Sequence, residues 1–261
     1  MNSANLSMET AEARKVTYKE TEDGIIPVYA DQLVLQPSSY SEEDNQTWRT
    51  LLARQKELVV GRAHPIFIES LEKMGFGDTI PQFSDINEKL NGWEIVAVNG
   101  LISHVAFFDL LAHKKFPVTW WMRTPAQIDY IQEPDLFHDL FGHVPLLERS
   151  DYSDLMQTFG KLGIGERSND AKFMTGLGRL YWYSIEFGLM KHQGKLSVFG
   201  AGILSSPGEL SYALDPKTPH KPFVHSKVTN TAYRIDTYQP SYFTSDSFEK
   251  MREEILAYAK S

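Results

Sequence analysis

The sequence predicts a mainly α-helical fold with minor short β-strands, an α+β single domain, on three observations. Apolar residues recur at helical spacing over most of the chain. The few strand-like runs are short and rich in β-branched and aromatic side chains. No repeat or low-complexity linker divides the 261 residues, of which 42% are hydrophobic and 23% charged, an ordinary globular balance.

Residues 1–24 are polar without hydrophobic periodicity and read as a flexible N-terminal arm, leaving 25–261 as one domain. The first helix starts at Ser41, a capping residue with Asp44 three positions on. Trp48, Leu51, Leu52 and Leu58 follow at helical spacing, and Gly61 is the stop. A second helix has Pro65 at its first position and ends at Gly75. WEIVAV from Trp93 and FPVTWW from Phe116 read as strands, with a helix over Ser103–Ala112 between them. Long helices are expected around 134–142, 151–161 and 171–190. Two strand-like runs, KLSVFGAGIL and ELSYAL, lie within 195–214. The last helix runs from Asp246, boxed with Glu249, to Tyr258.

Composition excludes several classes. A net charge of −8 argues against a nucleic-acid partner. With no cysteine, disulfides, zinc–thiolate sites and cysteine nucleophiles are ruled out. No apolar run reaches the roughly 18 residues of a membrane span, and MNSANLSMETAEARK lacks the apolar stretch of a secretory signal. A soluble cytoplasmic protein is expected, with no membrane partner.

The informative stretch is YIQEPDLFHDLFGHVP, Tyr130–Pro145. Pro134 and Asp135 suit a helix start. His138 and His143 are five residues apart, so on an ideal α-helix they diverge by roughly 140°. They converge if the helix ends at Gly142 in a left-handed cap, with Pro145 beyond it. This differs from H-E-x-x-H, whose histidines share one face. Glu186, in the apolar run LYWYSIEFGLM, is the natural third ligand, because an unpaired carboxylate there is costly and a divalent cation removes the cost. Two histidines and one carboxylate with open positions form the facial triad of non-haem Fe(II) oxygenases. Histidines near a helix end also serve as caps or core residues, and Glu186 has Arg179 within reach as a partner. The residues alone leave both readings open.

Three blocks, HDLFGHVP (His138–Pro145), LYWYSIEFGL (Leu180–Leu189) and FGAGILSSPGEL (Phe199–Leu210), resemble in order and separation the signatures of the pterin-dependent aromatic amino-acid hydroxylases. TYQPSYF (Thr237–Phe243) follows as in that family. The resemblance covers roughly residues 90–245 and implies that family's catalytic fold, with iron in a central cleft. It implies Fe(II) held by His138, His143 and Glu186 as the catalytic centre, with tetrahydropterin and O₂ as co-substrates. By position, Arg123 clamps the substrate carboxylate, suiting a planar guanidinium, and Asp135 orients it. Trp182 and Tyr130 line the pocket, and Gly202, Ser205 and Ser206 form the substrate loop. Phe107 matches the aromatic that stacks on the pterin, with Gly100, Ile102 and His104 in the same loop.

The chain departs from the animal members, which often read T-P-E-P-D where it has Ile131-Gln132-Glu133-Pro134-Asp135, and Asp139 replaces a common glutamate. Ile235 falls where tyrosine-hydroxylating members carry an acid, which favours L-phenylalanine as the substrate, then tryptophan, then tyrosine. The resemblance is to short bacterial members, and a monomer is expected. Two other classes compete: a zinc hydrolase using the same ligands, and an amino-acid-binding module without catalysis.

Overall fold

A computed structural model describes residues 16–21, 24–29, 31–235 and 237–261. Of the expected arm, residues 1–15, 22 and 23 lie outside the described residues. Its end forms strand β1 (Val16–Thr21), paired antiparallel with β2 (Gly24–Tyr29). VTYKET and GIIPVY carry the β-branched and aromatic residues that favour pairing.

Helix α1 (Glu42–Val59) starts as its capping signal predicts: the Ser41 hydroxyl accepts from the Asp44 N–H, and the Asp44 carboxylate accepts from the Ser41 N–H. Helix α2 (Pro65–Met74) has proline at its first turn and ends at Gly75, whose φ of 60° is left-handed. After the short α3 (Phe83–Asn87) comes a sheet ordered β3 (Leu33–Val34), β4 (Glu94–Val98), β5 (Lys115–Thr119). Strands β4 and β5 run parallel, from Glu94 opposite Lys115 to Val98 opposite Thr119. A parallel pair needs a crossover, and α4 (His104–Ala112), capped by the Ser103 hydroxyl, supplies it. That places the end of β4, the start of α4 and the end of β5 at one edge of the sheet, where the cavity opens.

Helices α5 (Ser150–Gly163) and α6 (Ala171–Tyr181) follow. The expected helix over 171–190 stops early: it widens over Trp182–Glu186 and turns into β6 (Gly188–His192). Beyond β7 (Lys195–Val198), the rest of KLSVFGAGIL and ELSYAL are helical, as α7 (Ala201–Leu204) and α8 (Pro207–Ala213). Ser206 caps α8 and Pro207 opens it, while Leu210 and Ala213, three apart, are both buried. Local capping outweighs the alternating pattern of ELSYAL.

A second sheet runs β7, β6, β9 (Tyr242–Ser245), β8 (His220–Pro222), with the short α9 (His225–Val228) after β8. Helix α10 (Phe248–Ala259) is capped by Ser247 rather than Asp246, whose carboxylate pairs with Lys191 2.7 Å away. The core is continuous, and Leu136, Phe137, Leu140, Phe141 and Val144 are wholly buried within it. The segment bearing both histidines is therefore anchored on its apolar side by packing.

Candidate metal centre and ligand cavity

His138–His143 is not an α-helix ending at a glycine. It is a π-helical turn, with the Val144 N–H bonded to the Asp139 carbonyl five residues back. Pro145 explains the widening, because its ring crowds the carbonyl four residues earlier and it has no N–H to donate. A π-turn advances about 4.4 residues per turn, so positions five apart diverge by only about 50°. The imidazoles thus converge, with Nε2 atoms 3.3 Å apart. Gly142 is outside the left-handed region, contrary to expectation. Its role is close approach: a Cβ there would lie 2.9 Å from both the Cβ and the carbonyl oxygen of Ala201.

Glu186 closes a second π-turn, in which the Phe187 N–H reaches the Trp182 carbonyl at 2.8 Å. The Ser184 hydroxyl bonds the Leu180 carbonyl at 2.5 Å, competing for the acceptor an α-turn would use. The Glu186 carboxylate lies 3.0 Å from His143 Nε2 and 3.6 Å from His138 Nε2. Donor atoms about 2.1 Å from one ion and about 90° apart at it lie about 3.0 Å from each other. No lysine or arginine pairs with Glu186 among the described residues. Burial works to lower His143, but Glu186 and Asp139 raise it, so its proton can bridge to the carboxylate; the spacing of the three donors around one point also fits a divalent metal in place of that proton.

Asp139 stands in the same cluster, with donor atoms of Asp139, His138 and His143 all within 4.8 Å. Its Oδ1 is 3.9 Å from His138 Nε2, however, and Oδ2 accepts from the Thr119 N–H at 2.7 Å. Glu186 is the better-placed third donor. Burial raises Asp139 to about 7, against the pull of His143. Burial lowers His138 to about 4 despite Glu186, so at neutral pH its Nε2 lone pair is available. Burial opposes ionisation of Glu186, but the two histidines hold its carboxyl below the usual range.

Ser205, expected to face substrate, lines the cavity and also touches the metal site. Its Oγ is 2.9 Å from His138 Nδ1. We assign the ring proton to Nδ1, donating to Ser205, which leaves Nε2 for the metal.

A cavity of about 320 Å³ opens over these residues. Arg123 lines this cavity and forms a buried two-pronged pair with Asp135 behind it: Nε donates to Oδ2 at 2.7 Å and Nη2 to Oδ1 at 2.8 Å. Asp135 also accepts from the backbone N–H groups of Arg123 and His138, tying the arginine to the start of the histidine turn. Arg123 Nη1 makes no hydrogen bond with a described residue.

Trp182 lines the cavity, stacks on Tyr233 at 4.1 Å and donates to Gln239 Oε1 at 3.2 Å. Gly202 is a glycine because a Cβ there would lie 2.7 Å from the Phe187 ring. Ser206 lines the cavity and caps α8, and Tyr130 stands half-exposed at the rim. Gly100, Ile102, His104 and Phe107 line the cavity together, and Phe107 meets Tyr181 edge-on at 5.2 Å. Ile235 is on the same wall.

The sequence reading missed Tyr181, Glu209 and Gln239, all on the cavity wall. The signal for Tyr181 was adjacency to Trp182; for Glu209 and Gln239 it was a polar residue inside an otherwise apolar block.

The profile of a family described as biopterin-dependent aromatic amino acid hydroxylase matches residues 17–261. Phenylalanine-4-hydroxylase of Chromobacterium violaceum is 48% identical over 217 residues, spanning 81% of this chain and 72% of that protein. A crystal structure of the C. violaceum phenylalanine hydroxylase with bound iron(III) and 7,8-dihydrobiopterin superposes with a TM-score of 0.82 at 43% identity, covering 92% of this chain and 87% of that one. An iron- and phenylalanine-bound structure from the same organism gives 0.79 at 41% identity, covering 88% and 87%.

Proposed function

We propose, from the premise that this chain belongs to the biopterin-dependent aromatic amino acid hydroxylases, that it converts L-phenylalanine to L-tyrosine using Fe(II), O₂ and a tetrahydropterin. The observation that carries the reading is the convergence of His138, His143 and Glu186 in a cavity also lined by Arg123, which Asp135 holds from behind.

His138, His143 and Glu186 would hold the iron on one face, leaving its other positions toward the cavity. Bound there, the metal supplies the activation of O₂ with electrons from the pterin. Ser205 keeps His138 in the tautomer that can ligate. Arg123, locked by Asp135, presents its unbonded Nη1 to the substrate carboxylate. Trp182 and Phe187 pack beside Glu186 and exclude water from the reacting ring. Ile235 gives the ring an apolar neighbour, where a ring hydroxyl would lose its hydrogen bonds. Phe107, with Gly100, Ile102 and His104, forms a shelf that would hold a pterin, the Phe107 ring supplying an aromatic face for stacking.

No helix among the described residues is long and apolar enough to cross a membrane. We read the protein as a cytoplasmic monomer.

The test is tyrosine formation from phenylalanine by metal-free protein, with and without Fe(II), tetrahydropterin present throughout, beside a Glu186→Ala variant. Tyrosine appears only with iron and collapses in the variant. Hydroxylation of tryptophan but not phenylalanine would keep the site and overturn the substrate; silence on every aromatic amino acid would favour a binding module.

A further inference from the structure

One acidic side chain on the cavity wall has neither a role in the chemistry above nor a counter-charge. Glu209, on α8, is 7% exposed. Its Oε1 accepts from the Tyr242 hydroxyl at 2.6 Å and from the Gln239 N–H at 3.4 Å. Its other oxygen, Oε2, makes no hydrogen bond or ion pair with a described residue and is open to the cavity. The other carboxylates on that wall are engaged. Asp129 pairs with Arg54, Asp139 accepts from Thr119, Glu186 faces the histidines and Glu133 has partners of its own.

A buried carboxylate with no cation is unfavourable, and burial accordingly raises Glu209 to about 7. Tyr242 and Gln239 nonetheless hold it in place. Gln239 also accepts from Trp182, so the carboxylate is fixed relative to the turn that carries Glu186. Such a group suits a ligand that brings its own positive charge. An α-amino acid brings an ammonium as well as a carboxylate.

We propose that Glu209 is the receptor for the α-ammonium of the amino-acid substrate, its Oε2 accepting the ammonium while Arg123 takes the carboxylate. The inference rests on the substrate reading of the preceding section. With both ends of the amino acid held, the side-chain ring has one course into the cavity, which gives Glu209 a part in selecting amino acids over the corresponding acids and amines.

The test uses Glu209→Gln. Its side chain has nearly the same shape, and its carbonyl oxygen still accepts from Tyr242 and Gln239, so only the charge is lost. Calorimetric titration of the Fe(II)-loaded protein compares L-phenylalanine with 3-phenylpropanoate, which lacks the ammonium, and 2-phenylethylamine, which lacks the carboxylate. The variant is expected to bind L-phenylalanine at least tenfold more weakly and to lose the amine, while 3-phenylpropanoate binds as well as before or better. Equal affinity of wild type and variant for L-phenylalanine would overturn the proposal. So would a parallel loss for 3-phenylpropanoate, which would make Glu209 structural. If the variant does not fold, the wild type decides: 2-phenylethylamine binding no more tightly than uncharged 2-phenylethanol overturns it. Wild type that binds L-phenylalanine in this way yet forms no tyrosine would refute the catalytic reading and leave Glu209 as the ammonium receptor.

Discussion

Asp135→Asn isolates how the cavity's arginine is held. Asp135 is fully buried and Arg123 is 5% exposed. Each oxygen of Asp135 faces only donors: Oδ1 takes Arg123 Nη2 and the His138 N–H, while Oδ2 takes Arg123 Nε and the Arg123 N–H. Whichever way an asparagine amide turns, its NH₂ points at two donors, and the guanidinium keeps its charge with no anion beside it. Breaking a buried pair from one side costs about 3–5 kcal/mol. At about 2–4 °C per kcal/mol for a chain of this size, the melting temperature falls by roughly 6–20 °C. Urea unfolding at constant m-value measures the loss, and the KM for phenylalanine rises because Arg123 is no longer aimed.

The pH dependence carries a sign. Burial works to raise the Asp135 carboxyl, but Arg123 and the two N–H groups hold it below the usual range. Its stabilisation is complete above the ordinary aspartate value of about 4 and is lost as pH falls through the lower folded value. The asparagine variant lacks that acid limb. A stability within about 1 kcal/mol of wild type, with unchanged KM, would refute the reasoning.

Gly142→Ala places a methyl 2.9 Å from Ala201, so α7 must shift and carry Ser205 away from His138; overpacking of this kind costs about 1–3 kcal/mol. Weaker metal binding by equilibrium dialysis and a lower unfolding midpoint are expected together, and wild-type values for both would count against the close-approach argument. Phe107→Ala removes the shelf without touching metal or arginine, so the KM for tetrahydropterin rises about tenfold, a change of about 1.4 kcal/mol. Calorimetric affinity for phenylalanine and metal content stay the same; a rise confined to phenylalanine would move the pterin elsewhere.

Much of this protein is written locally. The caps at Ser41, Ser103 and Gly75, the strands Glu94–Val98 and Lys115–Thr119, and the crossover between them follow from residues within a few positions of each other, because φ/ψ preferences and capping are local. The residue types of the donor set were visible too, but capping histidines and an ion-paired Glu186 fitted the same residues, and it was the resemblance of three blocks to a known family that singled out His138, His143 and Glu186. The way the donors meet was not visible. A π-turn and an α-turn share the same apolar pattern, and it is Pro145 with core packing on one side, and Ala201 against Gly142 on the other, that widen and hold the turn. Strand or helix for ELSYAL was likewise decided by the Ser206 cap and by the core that Leu210 and Ala213 enter. Ser205 meets His138 across 67 positions and Glu209 meets Tyr242 across 33. The sequence by itself determined which groups were available; only the tertiary structure decided which of them face one another, since contacts that far apart along the chain are set by packing and carry no periodic signature.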